Sequence, residues 1–215
     1  MEYNVNRYRD LLIEENTRQN LVSRKSIDSE LDMHIQDSLV IKNYLNINRQ
    51  KLIDIGSGAG FPGLILAIHY PEASFTLVES DKKKSTFLSR VVQEIGLKNT
   101  VVINHRVEEL GQDGNFRERF DICTARAVAP MQVLLEYGIP LLKTGGCLAL
   151  WKGKNYAAEI ETARTALTVL QSEVEEVFHY NLIGERDRAI VLIRKNQSTP
   201  AIYPRRVGIP AKRPL

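Results

Sequence analysis

The stretch KLIDIGSGAGFPGLILAIHYPEASFTLVES, Lys51 to Ser80, carries the reading from which the fold follows. Leu52 to Ile55 is a short apolar run of the kind that forms a buried strand, and it stops at a glycine cluster, Gly56-Ser57-Gly58-Ala59-Gly60. Glycines there let the backbone turn sharply and approach a ligand with no side chain between. Pro62 suits the first turn of a helix that Leu64 to Ile68 continue, and Ser74 to Glu79 is a second strand. Strand, glycine turn, helix and strand make a βαβ unit, whose right-handed crossover lays two parallel strands side by side.

Further strands are expected at Val101 to Asn104, Phe120 to Ala125, Cys147 to Trp151, Val174 to Tyr180 and Ala189 to Arg194. Lys82 to Ile95 reads as a helix with Phe87, Leu88, Val91, Val92 and Ile95 on one side, stopped by Gly96. Strands alternating with helices predict an α/β fold, a Rossmann-like and mostly parallel sheet of seven strands covered on both faces. The last two strands are close in sequence and predict an antiparallel hairpin at one edge. Before residue 49 the rhythm is helical: Val5, Tyr8 and Leu12 share one face, and Leu31, Ile35 and Leu39 another, with Ser26 or Asp28 able to cap the second helix. The expected organisation is a helical cap over 1–48, the sheet domain over 49–195 and a basic tail over 196–215 packed on or near the active site.

At 215 residues, with 43% hydrophobic and 26% charged residues, the chain fits one ordered domain with extensions. Its apolar runs are far shorter than the roughly 18–20 residues a bilayer span needs. MEYNVNRYRD has no basic start followed by an apolar run, so a cytoplasmic protein without membrane attachment is expected. Cys123 and Cys147 lie in apolar strand runs and read as core; they supply neither a disulfide framework nor a metal site. The net charge of +3 is unevenly spread. After Asp187 come Arg188, Arg194, Lys195, Arg205, Arg206, Lys212 and Arg213 with no acid, leaving 22 basic against 26 acidic residues before them. Such a tail suits a polyanion, or merely solubility.

In open α/β sheets ligands bind beyond the carboxyl ends of the strands. Gly58, Gly60 and Gly63 satisfy G-x-G-x-x-G, and Glu79, nineteen residues after Gly60, is placed to accept the hydroxyls of a ribose. Asp54 shifts the balance between two nucleoside cofactors. A carboxylate just before the glycines repels a pyrophosphate, whereas it suits the ammonium and sulfonium of S-adenosylmethionine. The loop Asn104 to Glu108 follows the third strand, on the adenine side in methyltransferase-like sheets; a helix start with Glu108 on the dipole is the plainer reading. Arg126, after the fourth strand, can fork onto a carboxylate or form a surface ion pair.

DIGSGAGFPG, LVESDKKKSTFL, HRVEEL, FDICTARAVAP, LLKTGG and YPRRVGIPAKRPL, in this order, resemble the ribosomal RNA small-subunit methyltransferase G family, also called glucose-inhibited division protein B. NLVSRKS and HIQDSL of the cap are similar to that family as well. The resemblance spans nearly the whole chain. It implies a class I S-adenosylmethionine-dependent methyltransferase acting on nitrogen 7 of a guanine in 16S ribosomal RNA, naked or in the 30S subunit or its precursor. It places donor contacts at Gly56, Phe61, Val107, Glu108 and Arg126, to which the residue reading adds Asp54, Gly58, Gly60 and Glu79.

Nitrogen 7 of guanine carries a lone pair and no proton, so transfer needs alignment rather than a base, and no catalytic side chain is expected. In keeping with this, ARAVAP stands where enzymes that methylate exocyclic amines commonly carry N-P-P-Y or D-P-P-Y. Lys152, Lys154, Arg205, Arg206, Lys212 and Arg213 are the candidates for RNA phosphates. Trp151, closing an apolar strand, reads as core. His34, Asp37 and Ser38 share a helical face, yet no nucleophile elbow presents Ser38; they either fix the cap or border the substrate opening. A monomer is expected. The rival readings are an NAD-dependent oxidoreductase, against which Tyr137 lacks a lysine four residues on, and a noncatalytic RNA-binding protein.

Overall fold

The computed structural model describes residues 2–22, 27–182 and 186–215. Among them, β1 (Lys51–Ile55), β2 (Ser74–Val78), β3 (Thr100–Ile103), β4 (Phe120–Arg126), β5 (Leu142–Gly153), β6 (Ser172–Leu182) and β7 (Arg186–Lys195) form one sheet in the order β3-β2-β1-β4-β5-β7-β6. The first five strands are parallel, and β7 runs antiparallel to both β5 and β6. The closing hairpin is therefore the sheet edge, with β7 reversed and β6 outermost. Strand order turns back at β1 and β4, and the crevice outside their carboxyl ends is where such sheets hold ligands.

The helices are α1 (Glu2–Asn16), α2 (Ile27–Leu39), α3 (Gly63–His69), α4 (Lys82–Glu94), α5 (Val107–Gln112), α6 (Met131–Gly138), α7 (Tyr156–Thr162), α8 (Arg164–Val169) and α9 (Ile209–Lys212). Alternation along the strands makes two apolar faces. On one, Leu77 of β2 packs with Leu64, Ile65 and Ile68 of α3, Phe87 and Leu88 of α4, and Tyr8, Leu11, Leu31 and Ile35 of the cap helices α1 and α2. On the other, Ile53, Cys123, Leu148 and Val191 meet Leu110 of α5, Leu134 and Leu135 of α6 and Ala166 of α8.

Asp81 caps α4, accepting from the amides of Lys83 and Lys84, and Gly96 follows its end at φ +70°. Of the two expected caps of α2, Ser26 lies outside the described residues, and Asp28 falls within the helix rather than before it, which corrects that alternative. β5 starts five residues before the apolar run that announces it, because Leu142 to Gly146 includes exposed polar residues and a glycine at φ +81°.

The basic tail is strapped to the body rather than unopposed. Arg194 pairs with Glu175 on β6, and the buried Lys195 ammonium donates to Glu118 at 2.8 Å and to the carbonyls of Ile139 and Leu142. Arg205 forks onto Glu136 of α6, and the Gly208 amide donates to Glu108 of α5 at 2.9 Å. Gly111 lets the strap approach: a Cβ there would meet Pro204 Cγ at 2.6 Å. The acids that neutralise the tail belong to α5, α6, β6 and the segment before β4, so charge counted along the sequence overstates what is free.

Candidate functional site

A cleft of about 470 Å³ opens at the carboxyl ends of β1, β2 and β4. Gly56, Gly58, Phe61, Glu79 and Arg126 line it, joined by His34 and Asp37 of the cap, Lys84, Val128 and Arg188. Its size is that of sites for small molecules, roughly 300–1,000 Å³. Gly56 and Gly58 hold φ +67° and +57°, conformations that cost most other residues about 1–2 kcal/mol. A Cβ on Gly58 would touch only the Gly56 carbonyl, at 3.8 Å, so the bare backbone of this residue borders the open cleft.

Glu79 is fixed by two amides, Gly58 N–H on Oε2 at 2.9 Å and Asp81 N–H on Oε1 at 2.8 Å. A carboxylate has about four lone-pair sites, so both oxygens keep capacity for a diol at the cleft. Asn104, just past β3, donates to the Glu79 carbonyl at 2.8 Å and ties the ends of the two strands together. Arg126 leaves β4 with its guanidinium 4.9 Å from the centre of the Phe61 ring. It also donates to Asp37 Oδ2 at 2.7 Å.

Asp54, Gly60, Val107 and Glu108, also expected to contact the donor, are not among the residues that line the cleft. Gly60 turns into the core, where a Cβ would meet Leu64 at 2.9 Å. Val107 packs into the apolar cluster around α5 and α6. Glu108 is buried, with Oε1 accepting the tail amide of Gly208. Asp54 lies beneath the glycine loop at 2% exposure, with Oδ1 accepting the Thr124 hydroxyl at 2.6 Å and Oδ2 without a partner among the described residues. Burial pushes this carboxyl up to about 6 against the opposing pull of the Thr124 hydroxyl.

That shift has a sign in stability. The folded chain holds the Asp54 proton more tightly than the unfolded chain, so stability falls as pH rises from about 4 through about 6. Two pKa units correspond to ~3 kcal/mol. Asp54→Asn is expected to be more stable than the parent by up to that amount at pH 8 and equal to it near pH 4. Urea denaturation at the two pH values measures the difference; a variant no more stable at pH 8 than at pH 4, relative to the parent, contradicts it.

Of the RNA candidates, Lys152 is buried and bound to Glu159 at 2.7 Å and the Ala129 carbonyl, and Arg205 is held by Glu136. Both cations are thus engaged within the protein in this structure. Lys154, Arg206, Lys212 and Arg213 are exposed. Cys123 and Cys147 are buried in the sheet and burial raises both thiols, so neither offers a thiolate. The Ser38 hydroxyl is buried and donates back to the His34 carbonyl at 2.7 Å, as a helix-bound serine does and a nucleophile does not. Trp151 is core, its indole N–H donating to the Asp37 carbonyl at 2.8 Å.

Sequence reasoning missed Lys84, Val128 and Arg188. The run Lys82-Lys83-Lys84 held a signal: three cations in the first turn of a helix oppose its dipole and are costly there unless used. Ala127, a non-glycine at φ +57°, turns Val128 onto Gly56; nothing in the local sequence marks that turn.

A protein-family model described as "GidB: rRNA small subunit methyltransferase G" matches residues 1–191. A protein of Syntrophomonas wolfei named "Ribosomal RNA small subunit methyltransferase G" is 56% identical over 100% of both chains. One of the same name from Carboxydothermus hydrogenoformans is 44% identical, over 97% of this chain and 89% of its own. Among solved structures, a SAM-dependent O-methyltransferase from Thermotoga maritima superposes with a TM-score of 0.58 at 16% identity, covering 87% of this chain and 71% of the other. The [4+2]-cyclase SpnF reaches a TM-score of 0.60 at 14% identity, covering 81% and 84%. These two share the class I methyltransferase fold, and the cyclase shows that the fold alone does not fix the chemistry. The family model over residues 1–191 and the 56% identity over the full chain mean that the chain belongs to the GidB family of rRNA small subunit methyltransferases G.

Proposed function

We propose that this chain transfers a methyl group from S-adenosylmethionine to nitrogen 7 of a guanine in 16S ribosomal RNA, acting as a cytoplasmic monomer on the RNA, the 30S subunit or a precursor of it. The observation that carries the reading is the cleft itself, where the bare Gly58 backbone, the doubly anchored Glu79 and the Arg126 guanidinium converge. It is supported by the shared family and by relatives whose printed name is that of a small-subunit ribosomal RNA methyltransferase.

S-adenosylmethionine, when bound, supplies an electrophilic methyl on a sulfonium. The residues of the chain hold and orient. Glu79 accepts the ribose hydroxyls, the Gly56 to Gly58 backbone lies along the donor, Phe61 packs against it, and Arg126 takes the carboxylate. The buried Asp54 carboxylate beneath the loop adds a negative potential that suits a cation above it. A guanine N7 has no proton to lose, so the rate comes from alignment of the lone pair with the methyl–sulfur bond. Burial and the Arg126 charge push His34 below the usual histidine range, so the imidazole beside Phe61 is neutral at pH 7 and adds no cation to the cleft.

Incubation with methyl-labelled donor and ribosomal RNA from a strain lacking the enzyme tests the reading, with the modified base mapped by mass spectrometry. Label on a guanine N7 is expected; RNA that stays unlabelled overturns it, as does donor binding without transfer. If Lys154, Arg206, Lys212 and Arg213 meet phosphates, log affinity for RNA is expected to fall against log salt with a slope near ~−3. A filter-binding series at several salt concentrations reads that slope, and a flat dependence removes these four side chains from the interface.

A further inference from the structure

Asp37, on the cap helix α2, joins the cap to three strands at the cleft. Its carboxylate is 3% exposed and accepts from two directions, Arg126 Nη1 on Oδ2 at 2.7 Å and the Tyr180 hydroxyl on Oδ1 at 2.5 Å. Its backbone carbonyl takes the indole N–H of Trp151. One residue of the cap thus meets the ends of β4, β5 and β6. The Arg126 guanidinium so held lies over Phe61, whose ring is 5.2 Å from His34 and 5.8 Å from Tyr8. Tyr8 in turn donates to the Ala59 carbonyl of the glycine loop at 2.8 Å. An arginine side chain has four rotatable torsions, and its fork recognises a carboxylate only when its plane is fixed. Phe61 fixes one face of that plane, and Asp37 fixes its direction.

We infer that Asp37 is a positioning residue for methyl transfer: it aims Arg126 into the donor cleft, so that the seating of the N-terminal cap sets the affinity for the donor. The inference rests on the cleft being the donor site. It also assigns the cap a task beyond covering apolar surface, since a sheet domain without α2 keeps Arg126 but loses the group that orients it.

The test is a double-substitution cycle on the full chain, with S-adenosylmethionine binding measured by calorimetry in the absence of RNA. Asp37→Asn is expected to weaken binding by tenfold or more, and Arg126→Met by at least as much. The double variant is expected to bind no worse than Arg126→Met alone, because Asp37 then has no cation left to aim. Trp151, the chain's single tryptophan, separates this from loss of structure. Its partner is the Asp37 backbone carbonyl, so its emission is expected to stay unchanged in Asp37→Asn while donor affinity falls. If Asp37→Asn does not fold, Asp37→Glu keeps the charge and shifts the carboxylate by one methylene; it carries the same expectation at fivefold or more. Binding within twofold of the parent in the folded Asp37 variant, or factors that multiply in the double variant, overturns the inference. A parent chain that binds no donor at all would instead overturn the reading of the cleft.

Discussion

Replacing Gly58 with leucine is expected to weaken S-adenosylmethionine binding by at least 100-fold while the fold survives. The backbone at this position has φ +57°, which charges an L-residue about 1–2 kcal/mol of strain. Nothing else opposes the side chain on the protein side, since the nearest atom to a Cβ is the Gly56 carbonyl oxygen at 3.8 Å. The added carbons must therefore stand in the cleft, where the donor would lie against bare backbone. The neighbouring glycines answer differently. A Cβ on Gly63 would meet Asp54 Cβ at 2.5 Å and Leu77 Cδ2 at 2.6 Å, and one on Gly60 would press on Leu64 at 2.9 Å. Gly60→Ala and Gly63→Ala should lose stability first and donor affinity only as a consequence. Urea denaturation beside calorimetric titration distinguishes the two classes. A Gly58→Leu protein that binds the donor within threefold of the parent would falsify the assignment of this loop.

The glycine loop was legible because its chemistry is local. A buried strand, a turn that needs positive φ, a helix start and a carboxylate at the next strand's end all lie within thirty residues, and each announces itself by residue type. Strand positions were legible for the same reason, since alternating or continuous apolar runs are read without knowing the partner strand. The tail was not legible. Arg205 and Lys195 look in sequence like free cations, and the acids that hold them, Glu136 and Glu118, lie 69 and 77 residues away. Lys152 is the instructive intermediate case. Glu159 is only seven residues on, but whether that spacing makes an ion pair depends on how α7 folds back over the end of β5. The HIQDSL segment reads in sequence as a polar helical face that either fixes the cap or borders the substrate opening, and spacing alone does not choose between them. Asp37 fixes the cap to the sheet and stands at the cleft.

Arg205→Ala is expected to cost about 3–5 kcal/mol, the usual penalty for stripping the partner from a buried charge. Glu136 on α6 is fully buried, and Arg205 gives it two fork contacts at 2.8 and 2.6 Å together with a backbone amide at 2.8 Å. Truncating the guanidinium leaves a carboxylate inside the protein with a single amide donor. For a chain of this size the loss amounts to a melting temperature lower by roughly 10 °C. Removing both charges, as in Arg205→Leu with Glu136→Leu, is expected to restore much of the difference, because the isolated charge and not the missing pair is what destabilises. Arg206, next in sequence and exposed, gives the contrast: Arg206→Ala should leave stability within about 0.5 kcal/mol of the parent and weaken RNA binding. Thermal melts and RNA titrations on the same three proteins separate a strap that is docked by its buried arginine from one that merely trails its charges. Should Arg205→Ala melt like the parent yet lose RNA as Arg206→Ala does, Arg205 would act as a free cation, and its contact with Glu136 would have no part in holding the tail.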